Sequence, residues 1–261
     1  MTHARNALSW AHLVVTAILV TGCSTSHGSR TLADGTVVHT FRRGYSNAHL
    51  VVRKDAAFLV DSGYEREAQA LADDIRSEGV DPARLRAIVV THGHADHAGG
   101  AGWFQRTYGT KVVAGHGDEG MLASGKNEKL CPTDSTGRDR LDEDQSATYS
   151  PVRADVVVDD TLDLAELTGI PARVVHLPGH TTGSVVVALS DAAFVGDLFR
   201  GKVIGGGTSV HFYMCDLDDN RRDVGTLLGT IAPSASWLFP GHFGPVTRAS
   251  VEDTFGPATG M

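Results

Sequence analysis

Short apolar runs alternate with polar turns along this chain, and their periodicity changes several times. Residues 36–41, 49–52 and 57–60 are predicted strands, the last closed by the turn residues Asp61, Ser62 and Gly63. Tyr64, Ala68, Leu71 and Ile75 then recur at steps of four, three and four, which predicts one apolar face of a helix ended by Gly79. A strand at 87–90, a helix at 98–108 and a strand at 111–114 follow. Residues 117–151 show no period and scatter Gly, Asp, Ser and Pro, so this stretch is predicted to be a loop excursion beside a site. A second series of strands is predicted at 155–158, 173–176, 184–189 and 192–195, with a helix at 220–231 and a short strand at 237–239. Strands in runs with helices between them predict one α/β domain.

Composition changes this picture little. The 261 residues are 41% hydrophobic, enough for a single large core. The net charge of −8 comes without a basic block, which excludes a nucleic-acid backbone as the main partner and leaves a small-molecule substrate. Thirteen histidines and thirty glycines suit a loop-built site on a rigid scaffold.

The first residues stand apart. A basic start at Arg5, an apolar stretch over 13–20 and small residues before Cys23 predict an export signal over residues 1–22, too short to span a bilayer as a mature helix. Val20-Thr21-Gly22-Cys23 resembles the lipobox of bacterial lipoproteins. That resemblance implies lipidation of Cys23 and a membrane-anchored protein of the bacterial cell envelope; the alternative is an ordinary signal peptide and a soluble periplasmic or secreted chain. Residues 23–35 are predicted to be a flexible tether and 36–261 the domain. A lipidated chain should fractionate with membranes, and Cys23→Ser should leave an unlipidated precursor. A soluble chain whose mature terminus lies elsewhere than Cys23 would remove the anchor. Cys131 and Cys215 can pair in an oxidising compartment, or remain two buried thiols.

The chemistry concentrates in residues 88–100, IVVTHGHADHAGG. In an extended segment, residues two apart point the same way, so His92 and His94 can aim at one ion. Asp96 and His97 fall where the loop turns into a helix and can serve a neighbouring ion. Lone histidines are most often surface or hydrogen-bonded core residues, and His3, His12, His27, His39 and His176 are read that way. Four ligand-type side chains in six positions are not. His180, Asp197 and His242 each follow a strand-like segment in turn, so the whole set can converge along one sheet edge. Imidazole and carboxylate suit Zn²⁺, with Fe and Mn admitted by ligand type.

This pattern, His92-x-His94-x-Asp96-His97 followed by His180, Asp197 and His242, resembles the metallo-β-lactamase-fold hydrolase superfamily, as does the opening stretch that ends in Asp61-Ser62-Gly63. The resemblance implies an αββα sandwich. It assigns His92, His94 and His180 to one metal, Asp96, His97 and His242 to a second, and makes Asp197 the bridge, with Asp61 orienting the ligand loop rather than binding an ion. Two Zn²⁺ outweigh the charge of Asp96, Asp197 and a bridging hydroxide. The expected reaction is therefore hydrolysis by that hydroxide, with Asp96 orienting the nucleophile or accepting its proton and an anionic transition state favoured. No serine or cysteine nucleophile is needed, and Thr182 and Ser184 are read as loop-stabilising hydrogen bonders.

Asp197, where β-lactamases of this fold generally carry cysteine or serine, turns the resemblance toward the glyoxalase II and lactonase-like branch, cleaving an ester, thioester, lactone or related bond. The short stretch after His242 weakens glyoxalase II itself. A mononuclear iron persulfide dioxygenase-like oxidoreductase is the alternative from another class, and a β-lactamase or phosphodiesterase is the alternative within the fold. Arg200 and Lys202, just past Asp197, are either solvated or a clamp for an anionic substrate, with His211, Phe212 and Tyr213 as a wall for an acyl or aryl group.

Overall fold

The computed structural model describes residues 25–257. Strands β1 (Thr25–Thr31), β2 (Val37–Arg43), β3 (Ser46–Arg53) and β4 (Ala56–Val60) form an antiparallel meander. Helix α1 (Ala68–Ser77) leads to β5 (Ala87–Val89), which runs parallel to β4 with Leu59 opposite Ile88. Helices α2 (Ala95–Ala98) and α3 (Ala101–Tyr108) lead to β6 (Lys111–Gly115), and α4 (Glu119–Ser124) and α5 (Ser135–Ser146) to β7 (Val156–Val158), both strands again parallel to their predecessors. This first sheet is seven-stranded, in simple chain order.

The second sheet has six strands. It takes β8 (Thr161–Asp163), then after α6 (Ala165–Thr168) β9 (Arg173–His176), β10 (Val185–Leu189) and β11 (Ala192–Gly196). A small hairpin of β12 (Arg200–Gly201) and β13 (Thr208–Ser209) precedes α7 (Leu217–Thr226), which runs on as a π-helical turn over Leu227–Ile231. Strand β14 (Trp237–Pro240) returns parallel to β11, followed by β15 (Val246–Thr247) and α8 (Arg248–Phe255).

Period-two alternation decides the layering. In β4 and β5, Phe58, Val60, Ala87 and Val89 meet Val185, Val187, Ala192 and Phe194 of the second sheet, forming the core between the sheets. Their alternates Leu59, Ile88 and Val90 pack on Leu71, Ala72 and Ile75 of α1 and on Phe104 of α3. On the far side, Val186, Ala193 and Val195 pack on Val224 of α7 and Val251 of α8. The result is the expected αββα sandwich, and the α1 face lies where its spacing predicts.

Two expectations change, and one open alternative is decided. The segment 23–35 is not a tether where it is described: Thr25–Thr31 pairs along its length with β2, and Leu32 is buried between the sheets. Its polar composition suits an edge strand, held by backbone bonds rather than by burial, and the Arg30 guanidinium lies 3.3 Å above the Trp237 ring. The excursion 117–151 contains α4 and α5. Cys131 and Cys215 form a disulfide that ties this excursion to the segment after β13. Residues 1–22 and Cys23, with the predicted export signal and lipid site, lie outside the described residues, as do His3 and His12. Among the described residues no helix is long and apolar enough to cross a membrane.

Candidate metal centre

Every predicted ligand lies past the end of a strand, and these ends gather on one edge of the sandwich. After β5 the chain bends through residues 91–94, and His94, with φ −69° and ψ 152°, is the N-cap of α2. His92 and His94 reach one donor group from this bend, whereas Asp96 and His97, in the helical turn that follows, reach another. His180 comes from the β9–β10 loop, Asp197 follows β11 and His242 follows β14.

The side chains converge on one atom. Asp197 Oδ2 lies 3.2 Å from His242 Nε2, 3.4 Å from His97 Nε2, 3.6 Å from His92 Nε2 and 3.7 Å from His180 Nε2. His180 Nε2 is 3.2 Å from His94 Nδ1. Asp96 Oδ2 is 3.3 Å from His242 Nε2 and 3.4 Å from His97 Nε2. Two donor groups result, His92, His94, His180 and Asp197 in one and Asp96, His97 and His242 in the other, each compact enough to hold an ion.

Burial sets the protonation of this cluster. It holds His92 well below the usual imidazole range and brings His94 down to about 4 and His180 to about 3, so all three stay neutral, as ligands must. Burial also pulls on His97, but Asp197, Asp96 and Asp61 outweigh it and raise that imidazole well above its ordinary value. Burial pushes Asp197 up, yet His211, His242 and His97 hold it well below the usual carboxylate range.

Hydrogen bonds around the cluster fix its geometry. Asp61, at φ +60°, accepts from the Thr91 amide at 2.7 Å and the Thr91 hydroxyl at 2.8 Å, and its Oδ2 lies 2.9 Å from His97 Nδ1. These bonds tie Asp61 to the ligand loop and to His97. His242 Nδ1 donates to the Tyr45 carbonyl at 2.8 Å, which turns Nε2 inward. Ser184 Oγ accepts from the Thr181 amide at 2.9 Å, and the Thr182 hydroxyl donates to the Gly117 carbonyl at 3.3 Å, so both residues stabilise their loop.

Two residues have places at the cluster that were not read from the sequence. Asp118, buried at the end of β6, accepts from the Gly93 amide (2.7 Å), the Gly183 amide (2.8 Å) and the Thr181 hydroxyl (2.8 Å), joining the His92 loop to the His180 loop. It follows a strand just as His180, Asp197 and His242 do, so that rule reaches it. His211, expected in a substrate wall, lies inside the cluster instead, with Nε2 3.0 Å from Asp197 Oδ2.

Arg200 is neither solvated nor free to clamp a substrate. It is buried, reaches Asp134 Oδ2 at 3.2 Å and lies 4.0 Å above the Phe212 ring, while Lys202 is exposed. Arg200→Ala should therefore lower stability by about 1–2 kcal/mol, or roughly 2–8 °C in Tm for a domain of this size. KM ratios between charged and neutral substrates should not move; a selective rise for carboxylate-bearing substrates would restore the clamp.

Among the buried polar atoms, His92 Nε2, His94 Nε2, His180 Nδ1, Asp197 Oδ1 and His211 Nε2 make no hydrogen bond. Buried polar atoms are rarely left this way, and neutral imidazoles with carboxylates are the donor set for Zn²⁺ and its neighbours. These residues fit a metal. A cleft of about 480 Å³, counting space open to solvent, leads to them between Tyr45, Tyr64, Leu130, Phe212 and Tyr213.

The family model for the metallo-beta-lactamase superfamily matches residues 41–242. The Beta-lactamase-like protein 2 homolog of Drosophila melanogaster is 30% identical over 203 residues, covering 76% of this chain, which spans 58% of that relative's length. A hydroxyacylglutathione hydrolase of Anaeromyxobacter dehalogenans is 33% identical over 157 residues, covering 60% of this chain and 47% of its own. Among solved structures, a metallo-β-lactamase with a HARLDQ motif from Cronobacter sakazakii superposes with a TM-score of 0.58 at 21% identity, covering 78% of this chain and 74% of its own. A B3 metallo-β-lactamase with an active-site glutamic acid gives 0.59 at 19% identity, over 84% and 83%.

Proposed function

This chain belongs to the metallo-beta-lactamase superfamily, and from that premise we propose that it is an exported dinuclear-zinc hydrolase that cleaves an ester, thioester, lactone or related bond of a small molecule. The observation that carries the proposal is the sharing of Asp197 Oδ2 between two donor groups, one built on His92, His94 and His180 and the other on Asp96, His97 and His242. A pair of Zn²⁺ ions held there supplies a Lewis acid for a carbonyl oxygen and lowers the pKa of water to roughly 7.

The chain's own residues divide the remaining work. Asp197 is shared by both groups and is 3% exposed, so its charge is not diluted by solvent. The Asp96 side chain, 19% exposed, lines the cleft and is placed to receive a proton from the attacking water. The aromatic walls and Leu130 suit an acyl or aryl group. The guanidinium lining the cleft, Arg140, is paired at 2.7 Å with Asp144, so that pair adds little net charge for a substrate carboxylate. Any preference for anionic substrates would rest on the metal centre. The disulfide supports export to an oxidising compartment, and lipidation at Cys23 is part of the same proposal. The persulfide dioxygenase reading leaves Asp96, His97 and His242 without work.

The decisive experiment measures metal content and turnover together on the zinc-loaded protein with aryl esters, thioesters, lactones, an aryl phosphodiester and a β-lactam reporter. We expect two zinc ions per chain and acyl-bond hydrolysis that chelation removes and zinc restores. One iron per chain with oxidation of a persulfide, or two zinc ions with no acyl-bond hydrolysis, would overturn it.

A further inference from the structure

The β12–β13 hairpin carries the chain back over the centre and delivers His211, 2% exposed, between two of the predicted ligands. Its ring centroid is 5.1 Å from that of His180 and 5.0 Å from that of His242. Its Nε2 is nearer to Asp197 Oδ2, at 3.0 Å, than the Nε2 of His242, His97, His92 or His180. Despite that distance Nε2 makes no hydrogen bond, because the approach lacks the alignment an N–H···O bond requires. Asp197, His211 and His242 form a third compact donor group, all three buried.

The other ring nitrogen is fixed. His211 Nδ1 lies 3.1 Å from the Tyr213 carbonyl and 3.2 Å from the Tyr213 amide nitrogen, so one residue holds it from both sides. A proton on Nδ1 donated to that carbonyl leaves the Nε2 lone pair free, the arrangement by which a ligating histidine is usually held. The segment itself is rigidly placed. The Thr133 hydroxyl donates to the His211 carbonyl, the Thr133 amide to the Phe212 carbonyl at 2.8 Å, and the Met214 amide to the Cys131 carbonyl at 2.8 Å. The Cys131–Cys215 disulfide closes the same junction. A buried imidazole held this firmly with an idle nitrogen is costly unless that nitrogen binds something.

We propose that His211 is a further metal ligand, binding through Nε2 the ion that Asp197 shares with His242. This rests on the dinuclear reading above and adds one imidazole to the second donor group. The alternative is that His211 only positions Asp197.

The test loads the protein with NMR-active cadmium and records proton–cadmium correlations, in which only a coordinated imidazole shows coupling from its ring protons to the ion. The expected result is a cross-peak from His211 to the cadmium that also couples to His242, lost in His211→Gln, with an approximately tenfold or greater loss of affinity for that ion. Two cadmium resonances with cross-peaks from His92, His94, His97, His180 and His242 but none from His211 would overturn the inference and leave the dinuclear reading standing. A single cadmium resonance would overturn the dinuclear reading, and the inference that rests on it. The unaltered protein decides each case, so the outcome does not depend on the variant folding.

Discussion

Asp197→Ala should lower turnover by roughly two to three orders of magnitude while leaving the fold intact. The range is that for removing one charge-stabilising group from a preorganised site. The loss here has two parts. Asp197 Oδ2 lies within 3.7 Å of imidazoles from both donor groups, so without it the group of His92, His94 and His180 loses its carboxylate and the other group loses a neighbouring one. Two divalent cations held by these groups would also repel each other, and the carboxylate they share would offset that repulsion. The backbone should survive, because β11 is held by β10 and β14 and by a core on both of its faces. Circular dichroism should match the parent while metal content falls below two ions per chain. Asp197→Asn, which keeps shape and loses charge, should fall between. A variant that retains two ions and the full rate on every substrate of the parent would remove the dinuclear mechanism.

The second large effect comes from a residue with no side chain. A Cβ at Gly241 would lie 2.4 Å from His97 Cε1 and 2.5 Å from Asp197 Oδ1. Neither neighbour can yield cheaply, since His97 is held by Asp61 and Asp197 sits at the centre of the cluster. The backbone at Gly241 cannot retreat either: its amide donates to the Gly196 carbonyl at 2.8 Å and its carbonyl accepts from the Asn47 amide at 2.7 Å. Gly241→Ala should therefore displace His97 and Asp197 by a few tenths of an ångström to an ångström. A shift of that size costs about a hundredfold in rate, and the overpacking costs about 1–3 kcal/mol in stability. Parental kcat/KM together with full metal content would show that the site is looser than these distances imply.

Much of this is legible in the sequence, for physical reasons that also mark where reading fails. The ligands are legible because each follows an apolar run, and the 92–97 cluster packs four donors where the backbone changes from extended to helical. The α1 face is legible because burial imposes its period on Leu71 and Ile75. Helix α5 is not: Ser135–Ser146 lies on the surface with Leu141 as its one large apolar residue, so no apolar stripe announces it. Its local signals are subtler, the Asp134 side chain capping the Gly137 amide at 2.8 Å and Arg140 paired with Asp144 one turn on. Strand β1 is hidden because an edge strand needs no apolar alternation. His211 is hidden for a different reason: its place depends on contacts with residues 131–133, far away in the chain, which no local pattern records.

The seam between the two sheets has a consequence for how long the protein lasts. Strand ends of the first sheet supply His92, His94, Asp96 and His97, and those of the second supply His180, Asp197 and His242, so neither half of the chain carries a complete donor set. Ions bound across that seam favour only the closed sandwich, and their binding energy adds directly to the energy that keeps the halves together. Metal supply would thus govern survival as well as rate. A metal-starved chain would open more often along the plane between the sheets, where proteases reach the backbone, and would be cleared sooner than its loaded counterpart.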